Sequence, residues 1–183
     1  MIKVVFAYAP GMNGNAFGNG DNLPWPHQKD DLAFFKKYTE NSVCLMGCKT
    51  WESLPKSLPG RINVVLARPY LPENKAGEVP DMVMHGDLMN AIHDLQTNFP
   101  DKDICIIGGL SVLEEAIGFA DKVMITRIEP RDVSGFPATV FVKESTLAHV
   151  MANAHVSFKS HTSYTEDENP SVCSISCVEW TKN

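Results

Sequence analysis

No stretch of this chain offers the roughly 18 consecutive apolar residues that a bilayer-spanning helix needs, so no membrane span is expected. Basic residues are outnumbered as well: 16 Lys and Arg stand against 22 Asp and Glu, a net charge of −6. A nucleic-acid partner is therefore not expected, because its footprint is a basic patch or stripe. A few local cations can still hold an anionic small molecule. The five cysteines are odd in number and lie mostly in apolar runs, which argues against a secreted disulfide framework. Cys44 with Cys48, and Cys173 with Cys177, sit in strand-like segments that hold each pair about 13 Å apart at roughly 3.3 Å per residue. Two ligands of one zinc must each come within about 2.3 Å of it, so no metal is expected. The opening "VVFAYA" after Lys3 is shorter than the roughly 7–15 apolar residues of a secretory leader, and its alternation suits a strand. A cytoplasmic location is the expectation. The sequence contains no internal repeat or low-complexity tract, and the stretch 69–80 is too short and too central for a domain boundary. A single domain over 1–183, burying roughly 70% of its unfolded surface, is expected.

What is present is an alternation of strand and helix patterns. "KVVFAY" (3–8), "VCLM" (43–46), "NVVL" (63–66), "DICII" (103–107) and "KVMITRI" (122–128) are short apolar runs rich in β-branched residues. They read as buried strands of a largely parallel sheet. Helix patterns fall between them at 31–38, just after Lys49, at 87–99 and at 110–119. The segments 155–164 and 171–180 alternate around the polar turn "TEDENP" and predict an antiparallel hairpin. The fold class expected is α/β: three layers, a mostly parallel central sheet with helices on both faces, and a C-terminal antiparallel hairpin.

Three stretches could carry chemistry. In "DNLPWPHQKDDLAFFKKY" (21–38), Asp30 stands just before the predicted helix and fits an N-cap. Asp31 lies one residue inside, in line with Phe35 and Tyr38, where a carboxylate would be partly desolvated. On these residues alone, service to the helix dipole is the simpler reading for both acids. In "VCLMGCKTWESLPKSLPGR" (43–61), a strand meets a glycine and then a short helix start carrying Lys49 and Thr50. In "DICIIGGLSVLEEA" (103–116), a strand runs into Gly108 and Gly109 and then another helix. Helix starts bind phosphate through their N–H groups, and two on one sheet suit a dinucleotide. GlyGly alone is more often a plain turn, and the third glycine of the usual dinucleotide fingerprint is missing.

Read in order, "LPW" (23–25), "DDLAFFK" (30–36), "MGCKTWESLP" (46–55), "LPGRINVVL" (58–66), "IIGG" (106–109) and "ITRIE" (125–129) resemble dihydrofolate reductases. The resemblance runs from residue 1 to roughly 130 and more loosely through the hairpin. The spacing from Trp25 to Asp31 and the "MIKVVFAY" opening look closer to bacteriophage members. The resemblance implies NADPH-dependent reduction of dihydrofolate to tetrahydrofolate by a monomer with no nucleic-acid or membrane partner. It makes Asp31 the active-site carboxylate, bonded to the pterin 2-amino and N3 groups and raising the proton affinity of N5, with Asp30 the capping neighbour. Thr126 matches the hydroxyl that bonds the carboxylate. Trp25 matches the aromatic of a mobile loop (about 18–26) that holds an ordered water, and Leu23 the loop residue over the nicotinamide. Phe6, Ala7, Phe35, Leu54 and Leu58 would line the substrate pocket, and Arg61 would clamp the substrate's α-carboxylate. On the cofactor side the resemblance implies Ala7, Phe17, Gly18, Gly47, Lys49, Thr50, Leu66, Arg68, Ile107, Gly108, Gly109, Ser111 and Val112.

The chain departs from the family in two places. Cys48 stands where an arginine often reaches the adenosine 2′-phosphate, leaving Lys49 and Arg68 as the cations for that role. "SGFPATVF" (134–141) lacks the acid usual in that loop. Two rival readings remain at this point: a related pteridine or pyrimidine reductase, which the pairing of Asp31 with Arg61 disfavours, and a non-catalytic ligand-binding or structural protein on the same fold.

Overall fold

The opening segment is an apolar run broken by Lys3 and forms strand β1 (Ile2–Tyr8), with Val4, Val5 and Phe6 buried in succession, followed by the short strand β2 (Asn15–Gly18). Helix α1 (Lys29–Thr39) places Asp30 and Asp31 in its first turn and Lys36 and Lys37 in its last, both favourable to its dipole. The fully buried run "VCLM" becomes β3 (Val43–Gly47), and α2 (Cys48–Ser53) starts directly after Gly47. Strands β4 (Ile62–Leu66) and β5 (Met82–Met84) follow. Helix α3 (Leu88–Asn98) is capped by Asp87, whose carboxylate accepts from the Asn90 N–H at 2.9 Å. It buries Leu88, Ala91, Ile92 and Leu95 at helical spacing. Strand β6 (Ile104–Gly108) leads into α4 (Leu110–Ile117), then come β7 (Lys122–Pro130), β8 (Val140–Val142), α5 (Glu144–Ala152), β9 (Ala154–Ser163) and β10 (Val172–Lys182).

The computed structural model describes residues 1–67, 70–152 and 154–182. These fall into two compact units interleaved along the chain: Met1–Val5 with Thr39–Asp121, and Phe6–Tyr38 with Lys122–Asn183.

The first unit is a parallel sheet. β4 pairs with β5 and β3, β3 with β6, and β6 with β1, all parallel. Strands covered on both faces need not alternate, and Val43, Cys44, Leu45 and Met46 are all fully buried. The register slips by one residue between β3 and β6, so that Met46 lies opposite Gly108. A core of Cys44, Met46, Trp51, Val65 and Cys105 sits beneath, with Leu54, Leu58 and Ile107 packed against it. The Trp51 indole donates to Pro72 O at 3.1 Å, which satisfies its buried N–H.

The second unit is antiparallel. β10 pairs with β7 on one side and β9 on the other, so the expected hairpin is present, and Thr126 lies opposite Cys177. β7 thus pairs antiparallel to its C-terminal neighbour, although its apolar sequence resembles that of the parallel strands. β2 and β8 form a separate two-stranded ribbon. β2, β5, β8 and α5 have no counterpart in the sequence reading, because strands of three or four residues and the weakly amphipathic "ESTLAHVMA" carry little periodic signal. No helix among the described residues is long and apolar enough to cross a membrane.

Candidate active site

The second unit holds a buried acid. Asp31 is 7% exposed, beside Thr126 at 2% and Trp25 at 4%. The Thr126 hydroxyl and the Trp25 indole both hydrogen-bond to its carboxylate. Loss of hydration outweighs those two donors and raises the pKa of Asp31 from 3.8 to about 6. The Thr126 Oγ1 also lies 3.7 Å from Cys177 Sγ across the β7–β10 pairing, which fixes its rotamer.

Asp30 does not cap the helix. α1 opens at Lys29, and its first main-chain bond runs from the Leu32 N–H to Gln28 O at 3.1 Å. Asp30 is therefore inside the first turn and exposed, and its carboxylate accepts a hydrogen bond from the Tyr164 hydroxyl. The reason is Gln28: its side chain is 5% exposed and bonded at both ends, which starts the helix earlier than the apolar pattern suggests. On the same helix Phe34, in line with Asp30, is the buried ring, and Phe35 is half-buried. Phe6 is buried with its ring 6.3 Å from that of Phe17, Ala7 and Gly18 are half-buried, and Leu23 is 54% exposed.

The first unit holds two glycine-started helices. Gly47 and Gly109 are the N-caps of α2 and α4, and neither makes a side-chain capping bond. A Cβ built on Gly47 would lie 3.6 Å from the Gly109 nitrogen and 3.7 Å from Val112 Cγ2, so the two helix starts are side by side. Thr50 packs on the same spot: its Oγ1 would be 2.8 Å from a Cβ on Gly108 and 3.6 Å from one on Gly109. The Gly108–Gly109 peptide is cis. Lys49 and Ser111 are exposed, Val112, Leu66 and Ile107 are half-buried, and Arg68 lies outside the described residues.

Gly108 has φ +150, which side-chain-bearing residues rarely adopt, and no room for a methyl group against Thr50. Gly108→Ala is expected to lower the stability of the ligand-free protein by about 1–3 kcal/mol. Gly109→Ala, at φ −72 with ordinary contact distances, should cost far less. Thermal melts of the two variants check the contrast.

Arg61 is also in the first unit. Its Nε and Nη2 donate to Thr39 Oγ1 at 3.2 and 3.0 Å, and its Nη1 donates to Pro59 O at 2.9 Å. Behind it, Asn63 is 3% exposed; its Oδ1 accepts from the Leu58 N–H, and its Nδ2 donates to Leu58 O, Arg61 O and Asp81 Oδ2. This fixes the loop that carries half-buried Leu58 and Arg61. Neither Thr39 nor Asn63 was singled out in the sequence, yet an Asn inside the apolar run "INVVL" is a usable signal, because a buried amide must find partners.

All five cysteines are unbridged. Cys48 opens α2 instead of lying in a strand, and its thiol donates to Leu66 O at 3.7 Å. Burial pushes the Cys44 thiol up to about 12 and raises Cys105 and Cys177 too, so these are inert thiols. Among the described residues, no group of three or more His, Cys, Asp or Glu side chains is placed to hold a metal.

A family model described as dihydrofolate reductase matches residues 1–168. The dihydrofolate reductase of Saccharomyces cerevisiae is 31% identical over 150 residues, covering 75% of this chain and 69% of the yeast protein. The type 9 dihydrofolate reductase of Escherichia coli is 35% identical over 112 residues, covering 61% of this chain and 63% of that relative's length. The Bacillus subtilis dihydrofolate reductase is 31% identical over 131 residues, covering 70% of this chain and 69% of that one. Among solved structures, a dihydrofolate reductase from Enterococcus faecalis complexed with NADP(H) and RAB-propyl superposes with a TM-score of 0.70. That match covers 100% of this chain and 96% of the other at 23% identity, so it establishes a shared fold.

Proposed function

This chain belongs to the dihydrofolate reductase family, and from that premise we propose that it reduces 7,8-dihydrofolate to 5,6,7,8-tetrahydrofolate with NADPH, acting as a cytoplasmic monomer. The observation that carries the reading is Asp31, a carboxylate held in a nearly dry pocket by Thr126 and Trp25.

The cofactor has a matching frame. Bare glycine backbone at Gly47, Gly108 and Gly109, with no side-chain cap at either helix start, leaves room and donors for an anionic pyrophosphate. Thr50, Ser111 and Val112 border that frame, and Lys49 supplies charge. When bound, the reduced nicotinamide supplies the hydride. Asp31 then has two jobs. Ionised, it accepts from the pterin's 2-amino and N3 groups. Its negative charge, poorly screened because the site is dry, favours the proton that must reach N5 as C6 is reduced. Arg61, whose guanidinium donates to Thr39 and Pro59, is the residue that would clamp the substrate's α-carboxylate. A related pteridine reductase would have no need of that arginine.

Loss of NADPH absorbance on adding dihydrofolate to the purified chain tests the assignment, and no loss above the protein-free rate would refute it. The choice of cofactor rests on Lys49 and Arg68, the cations that the family resemblance leaves for the 2′-phosphate once Cys48 replaces the usual arginine. With a neutral thiol there, the Lys49→Met, Arg68→Leu double variant should raise KM for NADPH roughly three- to tenfold and leave NADH unchanged, the range expected for exposed charge pairs. Added salt should shrink the NADPH preference of the unaltered protein. An unchanged NADPH/NADH ratio in the double variant would place both side chains in solvent.

A further inference from the structure

The turn between β9 and β10 reaches the start of α1 at two points. The Asn169 Nδ2 donates to Gln28 Oε1 at 2.7 Å, and the Tyr164 hydroxyl donates to Asp30. Gln28 stands just before the first turn of α1, Asp30 lies in that turn beside Asp31, and Gln28 O receives the helix's first main-chain bond.

The turn itself is heavily braced. Arg131, one residue beyond β7, donates through Nη2 to Tyr164 O, Asn169 O and Val172 O at 3.0, 3.0 and 3.1 Å. Its main-chain N–H donates to Ser171 O at 3.0 Å. Asn169 spends every polar atom it has. Its N–H donates to Thr165 O, its carbonyl accepts from Arg131, and its Oδ1 accepts from the Ser171 and Val172 N–H groups, leaving Nδ2 for Gln28. Gln28 closes its own account by donating Nε2 to Pro26 O at 2.9 Å, next to Trp25. The contacts form a ring. Asp31 bonds Thr126 on β7, β7 ends beside Arg131, Arg131 holds the turn, and the turn holds Gln28 and Asp30, which both precede Asp31.

A turn built only to join two strands has no need to grip a helix start through a buried glutamine. We propose that the β9–β10 turn is a clamp that sets how deeply Asp31 is seated, with Asn169 and Tyr164 as positioning residues acting through Gln28 and Asp30. This rests on the reading of Asp31 given above. The mechanism is dehydration: with the helix start held, water is kept from the carboxylate; with it released, water enters and the carboxylate acts as a weaker, better-screened charge. The titratable group facing Asp31 is Cys177 on β10, which also faces Asp30, and Tyr164 faces Asp30 from the end of the hairpin. Charge-neutral variants leave that field intact.

The test is the carboxyl carbon-13 NMR titration of Asp31 in the ligand-free protein, its resonance identified by its absence in Asp31→Asn. In the unaltered chain it should titrate near 6. In Gln28→Met and in Asn169→Ala the midpoint should fall by about one pH unit, with the double variant no lower than the worse single, since both break one contact. Glu168→Gln, whose partner is Thr165 within the turn, should leave it unmoved. With dihydrofolate, kcat should fall roughly five- to twentyfold in Gln28→Met and in Tyr164→Phe, with KM for NADPH unchanged. Should Asn169→Ala fail to fold, Gln28→Met, which alters nothing inside the turn, decides alone. An Asp31 that titrates at the same pH in every folded variant would make the turn a structural brace and overturn the clamp. Asp31→Asn with intact turnover would instead defeat the catalytic reading, while the titration still decided the clamp.

Discussion

Asp31→Asn should lower kcat for dihydrofolate roughly a thousandfold at pH 7, within the range that a positioned acid or base contributes. The amide keeps the shape of the carboxylate and loses its charge, so nothing in the pocket favours a proton on N5. Turnover should recover in part as pH falls, because solution then protonates the substrate unaided. Asp30→Asn should retain most of the activity, since that side chain is exposed and the amide oxygen can still accept from the Tyr164 hydroxyl. Stability should move the other way. Burial raises the pKa of Asp31 from 3.8 to about 6, so the folded state binds this proton more tightly than the unfolded chain. Its favourable contribution is complete below pH 3.8 and is lost as pH rises through about 6. At pH 7 the ionised carboxylate therefore costs about 3 kcal/mol, at roughly 1.4 kcal/mol per pH unit. Asp31→Asn should thus melt higher than the unaltered protein at pH 7–8, by about 1–2 kcal/mol once the lost acceptor is counted, and the gap should close by about pH 4. The same site would then exchange stability for turnover. Paired pH–rate and pH–melting curves check both halves, and a variant less stable at pH 8 than at pH 5, relative to the unaltered chain, would contradict the account.

Arg61→Leu should weaken dihydrofolate binding by about 1.5–3 kcal/mol, or roughly 10- to 150-fold in KM, as expected for a charge-assisted hydrogen bond. A pterin lacking the glutamate tail should be reduced almost as well as before. The structure adds a control, because the guanidinium also holds Thr39 Oγ1. Thr39→Val removes that anchor and leaves the arginine in place, so it should raise KM only a few-fold. Equal losses for the tailed and tailless substrates in Arg61→Leu would make Arg61 part of the scaffold.

The sequence was most readable where burial is periodic. The runs at β3, β4 and β6 are apolar on both faces, and α3 shows Leu88, Ala91, Ile92 and Leu95 at helical spacing, so period and propensity agree. The hairpin of β9 and β10 was legible for the same reason at period two. Asp31 was legible as a candidate because an acid aligned with Phe35 stands out, although composition alone left it a dipole partner. The start of α1 was not legible. Whether Gln28 or Asp30 opens that helix is decided by Asn169, whose partner is 141 positions away in sequence. Local capping preference favoured Asp30, and a distant amide overruled it. Thr39 and Asn63 escaped notice for a similar reason, since their value lies in side-chain bonds to a loop that propensity does not describe.

The interleaving of the two units has a consequence for how the protein is made. Residues of the parallel unit are essentially continuous from Thr39 to Asp121, whereas the antiparallel unit is split around them. A ribosome delivers Phe6–Tyr38 early, yet Thr126, Tyr164 and Asn169 arrive last. The contacts that complete the acid's pocket span 134 and 141 positions, so their closure is entropically the most demanding and comes late in folding. A nascent chain halted after Asp121 can already pair its parallel strands, while Asp31 waits on the ribosome without Thr126 or a clamp. Newly synthesised protein should therefore acquire protease resistance in the Thr39–Asp121 region before it acquires any ability to turn over substrate.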